Sequence, residues 1–453
     1  MILDTFADYV ATQAEVDLPA STRHAAKRAL IDWFAALLPG TLTAPALQLR
    51  RAHSEEFGFA RSSLPGAGAR TFPATAAWIN GSTSHAVEFD DIFRDAVYHP
   101  GCPTVAAALA LAEDRNASGD QLLKAIVAGY EVSTRIGAAV QPAHYRFFHT
   151  TGTVGCFGAA AAGALLAAPG SSDTARHAMA TAATFASGLQ QAFRSDAMTK
   201  ALHAGHAAAV GVRAAQGAAA GLTGVTDILE GAAGFGAALC DSPSWDGVTD
   251  GLGVRFNIEH ITQKNHGCCG HTFAAIDALL ELKHEHGFTA GAIRNITVRT
   301  YGAALEVAGI RDPRTAFEAR FSLPYVMSHA AIYGSVRLSA FEPARLAEAP
   351  LRALMEKVEL VADPALTAAF PKQRAARVAV TLDDGRTVET FAPYRRGDPE
   401  APLTDAELDA KFTELATPVI GTAAARALLD QLWRIDEHRV TDLALARLVA
   451  LQA

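Results

Sequence analysis

The chain has 453 residues, half of them hydrophobic and 19% charged, with a formal net charge of −8. That length and apolar content favour two or three packed domains and exclude a disordered chain. The acidic balance, with no basic run, excludes nucleic acid and anionic membrane as expected partners, so an acidic substrate would need locally placed cations.

The first third reads as successive helices. Residues 21–38 begin with Ser/Thr capping chemistry and close at Pro39-Gly40. Apolar residues recur at helical spacing over 73–91, 104–113, 119–138, 151–167 and 173–189, with enough alanine and glycine for close crossings. Pro65-Gly-Ala-Gly-Ala-Arg70 lacks the third glycine, the preceding strand and the Lys-Ser/Thr end of a phosphate loop, and reads as a turn. After about residue 265 the texture changes: 295–300 and 357–362 alternate as half-buried strands, and 377–391 is a hairpin signal with Asp384-Gly385 at its turn. Helices intervene at 272–284 and 322–332. From Thr404-Asp-Ala-Glu407, a capping box, helix returns, with a second amphipathic run at 440–451. The expected fold is mainly α. A large all-helical domain is built from both chain ends (1–265 and 401–453), with a smaller α+β domain (266–400) inserted so that its two crossings form a cleft.

Residues 83–103 concentrate four carboxylates, two histidines, a tyrosine and an arginine between alanine-rich flanks. On a helix Glu88 and Asp91 would share a face while Asp90 points elsewhere. Like charges so placed need cations or a ligand, and the bland alternative is a solvated helix end. His99-Pro-Gly would end the helix and hold the histidine on a turn beside those acids. His149 precedes a Thr/Gly loop and a long helix, where free amides bind carboxylates and an imidazole can move a proton near neutral pH. Lys200 and His203 lie one turn apart on a small-residue helix, a lysine either exposed or aimed at an anion. The run Lys264-Asn-His266-Gly-Cys268-Cys269-Gly-His271 has the density of a zinc knuckle, but adjacent cysteines chelate one tetrahedral ion poorly and no second ligand pair follows. No metal is expected, and spaced cysteines for an iron–sulfur cluster are missing. Tyr325 stands at a helix start, as an acid or as a core tyrosine with a satisfied hydroxyl. Five cysteines that form no disulfide framework, and an N-terminus with acids where a secretory signal is basic, fit a cytoplasmic protein without a membrane span.

Over nearly the whole chain these residues resemble the 2-methylcitrate dehydratase (MmgE/PrpD) family. The resemblance rests on the order and spacing of Asn80-Gly-Ser-Thr-Ser-His-Ala-Val-Glu-Phe-Asp-Asp91, His99-Pro100, His149 with its loop, Lys200-x-x-His203-x-Gly205, Lys264 with Cys269 and Ile276-Asp277, Phe321-Ser-Leu-Pro-Tyr325, Gly397-Asp-Pro, and Lys411-Phe412. It implies a homodimer that acts on small di- or tricarboxylates without metal or cofactor. It also implies active-site places for Glu88, His99, His149, Lys200, Lys264, Cys269 and Tyr325. The chain departs from the family with Glu88 where Asp is commoner, with Ile92 where a small hydroxyl residue is usual, and with Phe273 where many members carry a histidine, His271 two residues earlier being either its replacement or unrelated to it.

The chemistry so implied removes a proton or CO2 next to a carboxylate and shelters an enolate-like charge among preorganised cations. Lys200 and Lys264 would meet the substrate's charge, and one of His99 and His149 would be the base. The other, or Tyr325, would be the acid, while Glu88, Asp90, Asp91, His203, Cys269 and His271 line or orient the site. The expected reaction is loss of water, with decarboxylation of the cis-aconitate type and epimerisation of the iminodisuccinate type as alternatives. A noncatalytic carboxylate-binding protein is the alternative of another class.

Overall fold

The structure, a computed structural model, describes residues 1–194 and 197–451. In chain order its main elements are α1 (Ile2–Thr12), α2 (Ala20–Gly40), β1 (Ser62–Leu64), β2 (Ala69–Thr71), α3 (Pro73–Ser84), α4 (Gly101–Arg115), α5 (Gly119–Ala139), α6 (Gly155–Ala167), α7 (Ser172–Ala183) and α8 (Thr199–Ala219). There follow α9 (Phe273–His286), β3 (Ile293–Thr300), α10 (Leu323–Tyr333), β4 (Val358–Ala362), β5 (Ala376–Leu382) and β6 (Thr387–Ala392), then α11 (Asp405–Ile420) and α12 (Thr422–Trp433). Shorter helical turns fill the connections. The chain divides into two compact units, residues 1–262 with 404–453, and residues 263–403. The fold is mainly α with a small α+β part.

In the first unit the helices start where the sequence supplies caps. Ser118 and Gln121 form a capping box on α5, Ser171 caps α7, and Thr404 with Glu407 caps α11. Asn116, in the left-handed region, closes α4. Helix α8 packs against α3 and α6, and α11 lies along α2, so the two chain ends share one core. Small residues set the approach. A Cβ at Gly205 of α8 would come 2.1 Å from Ser82 Oγ and 2.2 Å from the Trp78 carbonyl of α3. Residues 150–167 are long and apolar enough to cross a membrane by composition, but 94% of them are buried inside the unit as a core segment.

The second unit is a four-stranded sheet in the order β4-β3-β5-β6, with β3 parallel to β4 and antiparallel to β5. The β5–β6 hairpin turns through Gly385 at φ +88°. Alternate β5 residues Ala376, Val378, Val380 and Leu382 join Phe273, Ile276 and Leu279 of α9 in the core, which gives the period-two burial its cause.

Three expectations need correction. The helix of 73–91 stops at Ser84, because the acids beyond it bond to nearby side chains and backbone rather than continue the helical ladder. The helix of 173–189 stops at Ala183. The amphipathic run at 440–451 is two 3-10 turns hinged at Ala444, φ +49°. Its backbone pairs instead with Gly66, in the β1–β2 turn that Gly66 and Gly68 make at φ +81° and +65°. The helices α1 and α12 were not foreseen.

Gly205→Ala is expected to lower the unfolding midpoint. Glycine to alanine inside a helix ordinarily gains up to about 1 kcal/mol, but this Cβ meets the facing helix, and overpacking of that kind costs about 1–3 kcal/mol. Thermal or urea unfolding followed by circular dichroism measures the difference.

Candidate active site

The segment between α3 and α4 is built on turns. Glu88 takes φ +62°, a conformation seldom adopted by a residue with a Cβ, and its carboxylate pairs with the Lys200 ammonium of α8. The Lys200 ammonium also lies 5.2 Å from the centre of the Phe193 ring. Both charged side chains remain about a quarter exposed, at 23% and 28%.

Asp90 is almost wholly buried and faces two imidazoles. His85 Nδ1 is 2.7 Å and His99 Nδ1 2.9 Å from its Oδ2. The Cys102 thiol, its proton held by burial, donates to the same oxygen at 3.4 Å. Asp91 is held by the Gly101 amide (3.0 Å) and the Tyr130 hydroxyl (2.7 Å). Burial, opposed by the Tyr130 bond and reinforced by Asp32 and Asp90, pushes the Asp91 carboxyl up to about 7. The Asp91 carbonyl lies 2.7 Å from His99 Nδ1. A carbonyl oxygen can only accept, so the proton of a neutral His99 sits on Nδ1 and its lone pair on Nε2. Pro100 and Gly101 do not end a helix; they open α4.

His149 precedes the short turn Thr150–Thr153, and its ring stacks on His85 at 5.4 Å and meets the edge of Phe193 at 4.7 Å. Its Nδ1 lies 3.0 Å from Nδ1 of His203, one helical turn beyond Lys200 on α8. Burial first, then the neighbouring imidazoles and Lys200, holds His149 well below the usual histidine range, and burial brings His203 down to about 4. Two neutral rings sharing an Nδ1–Nδ1 hydrogen bond have complementary tautomers. One presents an Nε2 lone pair and the other an Nε2–H. The first unit thus brings together Glu88, Asp90, Asp91, His99, His149, Lys200 and His203 from four separate stretches of chain.

Among the described residues, His85, Asp90 and His99 form the one group whose ligand atoms fall close enough for a metal ion, all within 4.8 Å. The donor set fits poorly, because a metal on His99 Nδ1 would displace the hydrogen bond to the Asp91 carbonyl. In the Lys264–His271 run three side chains take separate partners. Cys268 is buried against Thr272 with its thiol raised to about 12, His266 bonds Asp277 at 2.8 Å, and His271 bonds the Tyr301 hydroxyl at 2.7 Å.

The second unit holds Lys264, Cys269 and His271 on one loop. Lys264 is buried, and the Cys269 amide donates to the Arg320 carbonyl at 2.9 Å. Burial, then Arg374 and Arg395, brings His271 down to about 4. Arg395 grips Asp398 through two bonds of 2.9 and 2.7 Å and reaches the Gly270 carbonyl, while Asp277 accepts from the Arg396 amide. Tyr325 takes the core role of its two readings. The ring is fully buried, the hydroxyl donates to the Ala340 carbonyl, and burial raises it to about 12.

Sequence reasoning gave no role to His85, Cys102 or Tyr130. His85 was visible as a second histidine in the acidic stretch, but its stacking on His149 joins positions 64 residues apart. Nothing in the local sequence around Tyr130 points to Asp91.

The MmgE/PrpD N-terminal domain matches residues 4–247, and the MmgE/PrpD C-terminal domain matches residues 266–435. The chain is 30% identical over 432 residues to the cis-aconitate decarboxylase-like protein oryM of Aspergillus oryzae, covering 89% of this chain and 88% of that protein. It is 29% identical over 371 residues to the cis-aconitate decarboxylase of Homo sapiens, covering 79% and 75%. It is 24% identical over 464 residues to the cis-aconitate decarboxylase of Aspergillus terreus, covering 94% and 91%.

The histidine pair predicts a pH dependence of stability. His203 titrates near 4 in the folded chain against an ordinary 6.5, so between those values the unfolded chain binds the extra proton. Its contribution is present above pH 6.5 and is lost as pH falls towards 4. The melting temperature of His203→Asn should therefore rise relative to the wild type as pH is lowered from 7 to 4, as differential scanning fluorimetry would show.

Proposed function

Because the chain belongs to the MmgE/PrpD family, we propose that it is a cofactor-independent lyase that acts on a small di- or tricarboxylate by forming a carbanion beside a carboxylate. The observation that carries this reading is a run of four imidazoles, His85 and His99 on the buried Asp90 carboxylate, His149 stacked on His85 and His203 bonded to His149, with the Lys200–Glu88 pair at the start of the same helix as His203. Neutral imidazoles of opposite tautomer can take and give a proton, and a partly exposed ammonium can meet an arriving anion.

In this mechanism Lys200, with three N–H donors, holds Glu88 and a substrate carboxylate together. The carbanion's charge spreads into that carboxylate and is stabilised by the fixed ammonium in a site of low dielectric. Where the reaction starts by taking a proton from carbon, His99 acts as base through Nε2, its Nδ1–H fixed by Asp91 and Asp90; where CO2 leaves, its departure itself forms the carbanion and only the acid is needed. One of the His149–His203 pair supplies the Nε2–H that protonates carbon or a leaving hydroxyl. The relatives named above favour CO2 as the leaving group, which makes an unsaturated tricarboxylate of the cis-aconitate type the first substrate to try. Loss of water from a 2-methylcitrate-like hydroxy acid uses the same base and acid, with the proton taken first and the hydroxyl leaving second. Glu88 and Ile92 stand where family members differ from this chain, so substrate choice is assigned to their surroundings.

The test is a screen of cis-aconitate, citrate, 2-methylcitrate, malate, tartrate and iminodisuccinate by proton NMR in heavy water. Conversion supports the mechanism, with deuterium entering the product where carbon is reprotonated, as in decarboxylation or epimerisation, and ligand-induced stabilisation without any product supports the noncatalytic reading instead. His149→Ala and Lys200→Ala are each expected to lower kcat by at least about 100-fold while circular dichroism stays native; near-normal turnover in both defeats the proposal. Prolonged dialysis against a chelator should leave turnover unchanged, as measured on the same substrate.

A further inference from the structure

A buried ion pair far along the chain from the site touches its backbone. Lys411 of α11 is 0% exposed, and its ammonium donates to Asp32 Oδ1 of α2 at 2.6 Å and to the Phe89 carbonyl at 3.1 Å. It also lies 5.3 Å from the centre of the Phe89 ring. Phe89 stands between Glu88, turned into the left-handed region to reach Lys200, and Asp90, the carboxylate that faces His85 and His99.

Burying both charges of an ion pair removes so much hydration that their attraction seldom adds stability, and an apolar pair of equal volume often does better. The pair is therefore poorly explained as a packing element alone. Its one distinctive product is a fixed Phe89 peptide. That peptide sets the direction in which the Asp90 side chain leaves the backbone, and a misplacement of about 1 Å at a reacting group can cost 100-fold in rate.

We infer that Lys411, held by Asp32, is a positioning residue for the site, fixing the Phe89 peptide so that Asp90 and the Asp91 carbonyl keep His99 in its Nδ1–H tautomer. The inference rests on the proposed function for its catalytic meaning, but its geometric content can be read without turnover. The carboxylate bonded to this ammonium is Asp32 of α2, and Asp90 and Asp91 of the turn lie within electrostatic reach of Asp32. Arg28, also on α2, lies within electrostatic reach of Asp32 as well.

The test uses the full chain carrying Asp32→Asn together with Lys411→Met. Removing both charges leaves no lone buried ion, so the thermal midpoint should stay near that of the wild type. Hydrogen exchange of peptides spanning residues 85–93 should quicken by about tenfold or more while the rest of the first unit is unchanged. Nitrogen NMR of labelled histidines should show His99 losing its single tautomer, and kcat should fall about 100-fold with KM little altered. The single variant Asp32→Asn still offers Lys411 an acceptor and leaves its bond to Phe89, so it should keep the tautomer, but it strands a buried ammonium and should lower the thermal midpoint; lost stability with a kept tautomer separates destabilisation from mispositioning. A folded double variant with wild-type exchange and an unchanged His99 tautomer overturns the inference, and so does one with wild-type kcat. Failure of the proposed function would look different: the wild type would turn over none of the carboxylates, while the exchange and tautomer changes would still appear.

Discussion

Two adjacent carboxylates, Asp90 and Asp91, lie at 2% and 4% exposure in a shell of small apolar helices, and most of the first unit can be understood as the means of keeping them there. Moving a carboxylate out of water costs several kcal/mol unless hydrogen bonds replace the lost hydration. The replacements come from different places. Tyr130 reaches in from α5, the Gly101 amide from the start of α4, His85 and His99 from the turn, and Cys102 from α4. Each donor can arrive only if its helix comes close, and glycine and alanine at the crossings allow that approach. The small-residue composition and the acidic turn are thus two halves of one arrangement.

The same burial selects the chemistry. Burial strips hydration from His149 and His203, and the neighbouring imidazoles and Lys200 oppose a further positive charge, so both rings are driven towards the neutral form. Neutral rings locked in known tautomers suit proton transfer to and from carbon, where a permanently charged ring would act as an acid alone. Lys200, by contrast, sits at the edge of the cluster with part of its surface open, where an incoming carboxylate can reach it.

What the sequence made legible follows the range of its signals. Periodicity over many residues gave helices such as α5 and α6, and alternation with Asp384-Gly385 gave the β5–β6 hairpin, because in both cases the partners are near in the chain. The acidic stretch, His149 and Lys200 stood out as polar residues among alanines, and the structure gathers them. The end of α3 was missed because alanine and valine at 86 and 87 continue a helical pattern, while the bond from Asp90 to His85 that replaces it has no periodic signature. Tyr325 was ambiguous for the opposite reason: a tyrosine in a core and a tyrosine in a site look alike until the Ala340 carbonyl is seen beside the hydroxyl. The run at 440–451 has a helix's pattern, but its backbone answers to Gly66, some 380 positions earlier.

The pairing of Lys411 with Asp32 has a bearing on how the chain is made. Synthesis proceeds from the amino end, so α2, α3 and the acidic turn all leave the ribosome before α11 exists, and the whole 263–403 unit is translated in the interval. Throughout that time Asp32 has no ammonium to answer it, and the helices around it can close only by leaving water inside or by keeping that carboxyl protonated. The second unit can be finished as a contiguous piece, whereas the first must wait for a lysine delivered last.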